Sequence, residues 1–144
     1  MKEILFRGKR IDGKSIDVGK WIEGFYFVAT DIMDDNIHHY IIETEAELYP
    51  HGEVCGIYEV DLSTVGQDTG LTDKNSKKIF EGDIIIDSDF PDTPYVVYFN
   101  DASYVARDVI TSEVCWLTSF ITFGETTSQI IGNIHDNPEL LEVR

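Results

Sequence analysis

The stretch GLTDKNSKKIFEGDIII, residues 70–86, gathers the residue types that most often do chemistry: a glycine, adjacent lysines, Asn and Ser, and a Glu-Gly-Asp cluster. A phosphate-binding loop needs glycines leading into Lys and Ser/Thr at a helix start. Here Gly70 leads into a polar turn, and Lys77-Lys78 precede strand-forming residues. A calcium loop needs oxygen ligands at alternate positions around a glycine, closed by a Glu. Asp73, Asn75 and Glu81 do not have that spacing. The stretch instead reads as a turn that starts a strand. Residues 73–76 form a polar turn with Asn75 in left-handed backbone. Ile79-Phe80 anchors the return in the core. Gly82 permits a tight bend, and Asp83 bonds nearby backbone N–H groups as the isoleucine strand begins.

Other groupings give no reaction. His38 and His39 are adjacent and point to opposite faces of a strand, so they do not share a metal. His51 and Cys55 have helical spacing, but Gly52 and Val54 oppose a helix there. Asp87, Asp89 and Asp92 fall in an acidic loop without the calcium-loop pattern. Cys115 sits in an apolar VCWL context that suits a buried thiol. A Cys or Ser nucleophile needs a base and an orienting acid, and no G-x-S-x-G occurs. The sequence therefore predicts no catalytic residue, metal ligand or cofactor.

The elements that position these residues are short strands. WIEGFYFVAT, IHHYIIE, VCGIYEV, GDIIID, PYVVYF, ASYVARDV, EVCWLTSFITF and SQIIGNI are apolar or alternating runs bounded by Gly, Pro, Asp, Asn or Ser. Asp12-Gly13 reads as a hairpin turn. Thr44 and Glu47 fit a capping box, so ETEAELYP reads as one helical turn ended by Pro50. Asn137 and Pro138 read as cap and first position of a short C-terminal helix. The expected fold is mainly β, of short antiparallel strands, with a small barrel-like, SH3-like C-terminal half and one or two short helices. One domain is expected over 1–144, with an N-terminal β part (1–62) and a motif-bearing barrel-like part (63–144).

Charge is unevenly spread along a chain of net −16. Residues 1–20 hold six Lys or Arg against three acids, whereas residues 21–73 hold twelve acids and no Lys or Arg. Such a surface repels phosphates, so duplex nucleic acid is not an expected partner. A single-strand platform would need a basic groove beside the aromatics, and cations are concentrated in the first 20 residues. Trp21, Phe25, Tyr26, Phe27, Tyr95, Tyr98, Phe99 and Tyr104 read mostly as core and cross-strand pairs, with some available to an interface. The N-terminus lacks a signal-peptide pattern and no apolar run reaches membrane-spanning length, so a cytoplasmic protein without membrane contact is expected.

The run TVGQDTGLTDKNSKKIFEGDIII (residues 64–86) resembles the signature of the YopX family of phage and prophage proteins. FRGKRIDGKSIDVGKWIEGFYF (6–27) and IIGNIHDNPELL (130–141) resemble the two ends of that family. Two positions depart from its pattern: Asp68 stands where an aromatic is usual, and Ser76 where Gly is usual. The matching positions are Gly66, Gln67, Thr69, Gly70, Leu71, Asp73, Asn75, Ile79, Phe80, Glu81, Gly82, Asp83, Gly132, Asn133, Asn137 and Pro138, all read as structural. The resemblance implies a phage- or prophage-encoded protein acting in the host cytoplasm, and implies no reaction.

The functional expectation is thus a non-catalytic accessory or regulatory protein that works by protein–protein contact and self-associates. Arg7, Lys9 and Arg10 of one subunit would meet Asp31, Asp34 and Asp35 of another, or the acidic surface would meet a basic host or phage protein. Two alternatives stand beside it: an acidic mimic of DNA that occupies a host DNA-binding protein, and a nucleic-acid-processing enzyme whose site carries no known motif.

Overall fold

A computed structural model describes residues 3–142. It is mainly β, with antiparallel sheets and, among the described residues, only short 3-10 turns as helix. The chain divides into two compact units, Met1–Gln67 and Asp68–Arg144.

The first unit is a meander. β1 (Phe6–Lys9) pairs with β2 (Trp21–Thr30), which pairs with β3 (Ile37–Leu48), which pairs with β4 (Val54–Glu59). The first residues of β5 (Gly66–Thr72) pair with the other side of β1. Alternation along β2 sends Ile22 and Tyr26 to a core with Ile41, Val60, Phe6, Tyr58 and Val65. Gly24 is required by close approach: a Cβ there would lie 1.9 Å from the Ile42 carbonyl oxygen.

Two local readings of this unit are corrected. ETEAELYP is not a helical turn; it extends β3 to Leu48. Glu47 and Leu48 pair with Cys55 and Val54, and the chain reverses through Tyr49–Gly52, so cross-strand bonding overrides the capping pattern. Asp12-Gly13 is not a two-residue hairpin turn, because β1 and β2 are joined by a longer loop closed by Gly19 N–H donating to the Arg10 carbonyl (2.7 Å). Asp12 instead accepts from the Glu59 backbone N–H (3.0 Å), which ties that loop to β4.

In the second unit β5 continues from Asp68 and pairs with β6 (Lys78–Phe80). β7 (Asp83–Asp87), β8 (Phe90–Asn100), β9 (Ser103–Asp108) and β10 (Val114–Trp116) form a second meander. β11 (Ile121–Thr122) and β12 (Glu125–Thr126) make a small hairpin, and β13 (Ser128–Asn133) returns to pair with β7. Ile85, Val97 and Ala106 from this open five-stranded sheet pack with Ile79, Leu117 and Phe120 into the unit's core. EVCWLTSFITF is not one strand: it breaks into β10, a 3-10 turn at Leu117–Phe120 and β11. The turn lets both Leu117 and Phe120 reach the core, which an alternating strand would not.

The C-terminal segment is a 3-10 turn at Pro138–Leu141 with Pro at its start. Asn137 occupies the cap position without making a side-chain cap bond. Its Oδ1 accepts instead from the Asn133 N–H (3.2 Å).

Candidate contact surface

The 70–86 stretch folds inward. Asp73 is 2% exposed: its Oδ1 accepts from Asn75 N–H (2.9 Å) and Lys77 N–H (3.0 Å), and its Oδ2 from Ile130 N–H (3.0 Å). One carboxylate thus closes the turn and ties it to β13. The left-handed residue is Ser76 (φ 63), not Asn75: Ser76 N–H donates to the Asp73 carbonyl and Asp73 N–H to the Lys77 carbonyl, a hairpin in which the residue closing the turn is left-handed. Asp83, 1% exposed, accepts from Phe80 N–H (2.8 Å). Between them Gly82 has φ 87, donates to the Val97 carbonyl and accepts from Ile134 N–H. Ile79 and Phe80 are buried, and Leu71 packs against the same core as Ile79. Thr69 donates to the Ile79 carbonyl (2.7 Å), while the N–H of Gly70, which has φ 80, donates to the Asp68 carboxylate (2.9 Å).

The second motif closes on itself in the same way. Asn133 Oδ1 accepts from His135 and Asp136 N–H groups (3.0 and 2.9 Å). A Cβ on Gly132 would lie 2.5 Å from Asn137 Oδ1, so the glycine makes room for that side chain. Gly66 and Gln67 pair with Arg7 and Phe6. Glu81 lies at the bend after β6, and Pro138 opens the last 3-10 turn. The backbone takes up the oxygens of Asp73, Asp83, Thr69 and Asn133, which leaves them poorly placed to meet a substrate.

Beside the core cluster of the second unit lies an open pocket of about 210 Å³ lined by Thr69, Leu71, Ser103, Tyr104, Trp116, Leu117 and Thr118. No carboxylate, lysine or histidine lines it, and burial pushes the Tyr104 hydroxyl pKa up. Cys115 donates to the Ala106 carbonyl (3.6 Å), and burial raises its thiol pKa, which disfavours a nucleophilic thiolate.

The first unit presents a different surface. β-Register puts Arg7 opposite Glu23, Lys9 opposite Trp21, Phe25 opposite Ile42, and Phe27 opposite Tyr40. These side chains share the sheet face that points away from the Ile22–Ile41–Val60 core. None belongs to that core, and Phe25 is 41% exposed. Phe27 and Tyr40 stack with centroids 5.1 Å apart. At one end the Arg7 guanidinium and the Lys9 ammonium lie 4.7 and 5.3 Å from the Trp21 ring centre. Arg10 is on the opposite side, bonded to Asp12 (2.7 Å) and lying over the Tyr58 ring (4.2 Å).

At the other end of the face stands an acidic group. His38 Nε2 is 3.0 Å from Asp34, and its Nδ1 is 3.2 Å from Glu59 on β4. The Asp34 contact first, and Glu59 second, raise the His38 pKa. The Asp34 pKa is lowered, chiefly by the Asn36 N–H it accepts (2.8 Å) and then by His38. Asp31, Asp34 and His38 bring three ligand atoms within 4.8 Å of one another, the group among the described residues best arranged to hold a divalent cation. Asp35 turns the chain here with φ 63.

The sequence singles out Arg7, Lys9, Asp31 and Asp34, and offers Trp21, Phe25 and Phe27 as aromatics partly available to an interface, but it does not place them between those charges, nor His38 and Glu59 beside them. The signal was present in phase: Trp21, Glu23, Phe25 and Phe27 sit at alternate positions of one strand.

Comparison with known proteins agrees with the residue-level resemblance. The YopX protein family model matches residues 16–142. The crystal structure of protein EF1440 from Enterococcus faecalis is similar in fold, with a TM-score of 0.59 and 24% identity over 97% of this chain and 99% of that one. No curated protein matches the chain.

Proposed function

This chain belongs to the YopX family, and we propose that it is a phage- or prophage-encoded accessory or regulatory protein that acts by binding another protein chain rather than by catalysing a reaction. The binding surface is the outer face of the β1–β4 sheet. One observation carries this reading: Trp21, Phe25, Phe27, Tyr40 and Ile42 line a half-exposed face outside the unit's core, with cations at one end and carboxylates at the other. Aromatic residues ringed by charge are the composition of a recognition surface, with burial supplying affinity and charge fixing orientation. Asp73, Asp83 and Asn133 of the 70–86 and 130–141 motifs support the non-catalytic part, since their side-chain oxygens accept from the chain's own backbone.

A photo-crosslinking amino acid at position 25, compared with one at position 90, tests the reading in producing cells. Phe90 is also exposed but lies in the second unit. Position 25 should give a discrete protein–protein adduct and position 90 none. No adduct at 25, or adducts at 90 alone, would remove the sheet face as the working surface.

A further inference from the structure

We infer that the occupant of this sheet face is the same face of a second copy, related by two-fold symmetry, so that each chain's cationic end lies on its partner's acidic end. The inference rests on the reading of the face as a contact surface and names its partner. The face is bipolar along β2. Arg7, Lys9 and Trp21 stand level with the strand's start. His38, opposite Ala29, stands near the strand's end with Asp34, Asp31 and Glu59 around it. At about 3.4 Å per residue the two ends are roughly 27 Å apart. Glu23 lies among the cations, opposite Arg7, and His38 among the acids, so the ends carry a modest positive and a larger negative charge.

A face with unlike ends and an apolar middle is complementary to itself. A two-fold axis lying in the plane of contact, crossing the line between the clusters at its midpoint, brings each end onto the opposite end of the partner. The same operation sets the Phe25–Ile42 region against its own copy. Four strands at ~4.8 Å spacing make the face about 19 Å wide at its broadest, and it narrows toward His38, where neither β1 nor β4 pairs alongside. At most that footprint is about 500 Å², below the ~800 Å² per partner of a standard interface and in the range of a weak, reversible dimer. A unipolar basic partner would match only one end of the face and a nucleic-acid strand only the other, whereas a second copy satisfies both.

The test uses two charge-reversed full-length variants. In one, Arg7→Glu and Lys9→Glu make both ends acidic; in the other, Asp31→Lys and Asp34→Lys make the second end basic as well. Sedimentation should give a wild-type dimer, each variant alone roughly tenfold or more weaker in self-association, and a restored dimer when the two are mixed in equal amounts. Restoration also shows that both variants are folded. Phe25→Lys, at an exposed position, should weaken the dimer without loss of folded structure and serves if either reversed variant fails to fold. A monomeric wild type up to high micromolar concentration overturns the inference, as does a dimer indifferent to both reversals and to Phe25→Lys. Either result leaves the contact function standing if position 25 still crosslinks to a different protein, and that function falls separately if it does not.

Discussion

Asp73 and Phe25 show how differently the two units use their sequence. Asp73 is charged and nearly fully buried, with three backbone N–H groups on its carboxylate. Phe25 is apolar and substantially exposed, on a sheet face that no core cluster claims. In the second unit buried polar residues are architecture; in the first unit one face of the sheet carries aromatic residues outside the core. Residues that look like chemistry in the sequence, such as Asp73 and Asp83, hold the fold, whereas Phe25, which looks like core, is presented outward.

The contrast is broken most directly at Asp73. Asp73→Ala leaves three N–H groups without their acceptor and should cost about 3–5 kcal/mol. The chain has one tryptophan in each unit, Trp21 and Trp116, so fluorescence of single-tryptophan versions resolves where the loss falls. The denaturation midpoint read from Trp116 should drop further than that read from Trp21. Equal drops would mean that the motif supports both units alike.

A smaller loss is expected at Gly82. Its φ of 87 is one that a β-branched residue resists, although a Cβ there would meet nothing closer than 3.5 Å. Gly82→Val should therefore destabilise by about 2 kcal/mol through backbone strain rather than a clash. Gly82→Ala should recover part of that loss in the same melt, and no difference between the two would point away from the backbone.

Phe25→Ser sharpens the other side of the comparison. Thermal stability should change by only about 0.5 kcal/mol, as for an ordinary surface site. Crosslinking and self-association should weaken far more than stability does. A large drop in melting temperature with association intact would return Phe25 to the core.

The smallest effect is the pH dependence at the acidic end of the face. Asp34 and then Glu59 raise the His38 pKa above its unfolded value. The stability it adds is therefore complete below pH ~6.5 and is lost as pH rises through the folded-state pKa. Asp34, whose pKa is lowered, adds stability above its unfolded pKa and loses it as pH falls through the folded value. The pair is strongest between those limits. His38→Gln should flatten the fall in melting temperature expected as pH rises through the folded-state His38 pKa, and an unchanged profile would remove His38 as its source.

Much of the fold was legible because alternation and turn chemistry are local. The β2 boundaries, the Gly82 bend and the backbone role of Asp83 follow from residues within a few positions. The misread elements are those decided by distant partners. Thr44 and Glu47 satisfy a capping pattern, yet β4 claims that segment as strand. Asp12 looks like a turn residue, yet it bonds Glu59 far along the chain. The contact face was half legible for the same reason. Its charges stood out as a gradient along the sequence, but the register that places Lys9 on Trp21 and Tyr40 on Phe27 is tertiary. Arg10 belongs to the same basic run as Arg7 and Lys9, and strand alternation sends it to the other side.

Hydroxyl-radical footprinting over a concentration series bears most directly on the claim that the first unit's sheet face is the working surface. The method reads the aromatic side chains of both units in one sample. Trp21, Phe25, Phe27 and Tyr40 should become protected as concentration rises, while Phe90, Trp116 and Phe123, exposed in the second unit, keep their reactivity. Protection confined to Phe90, Trp116 and Phe123, with Phe25 unchanged, would contradict it.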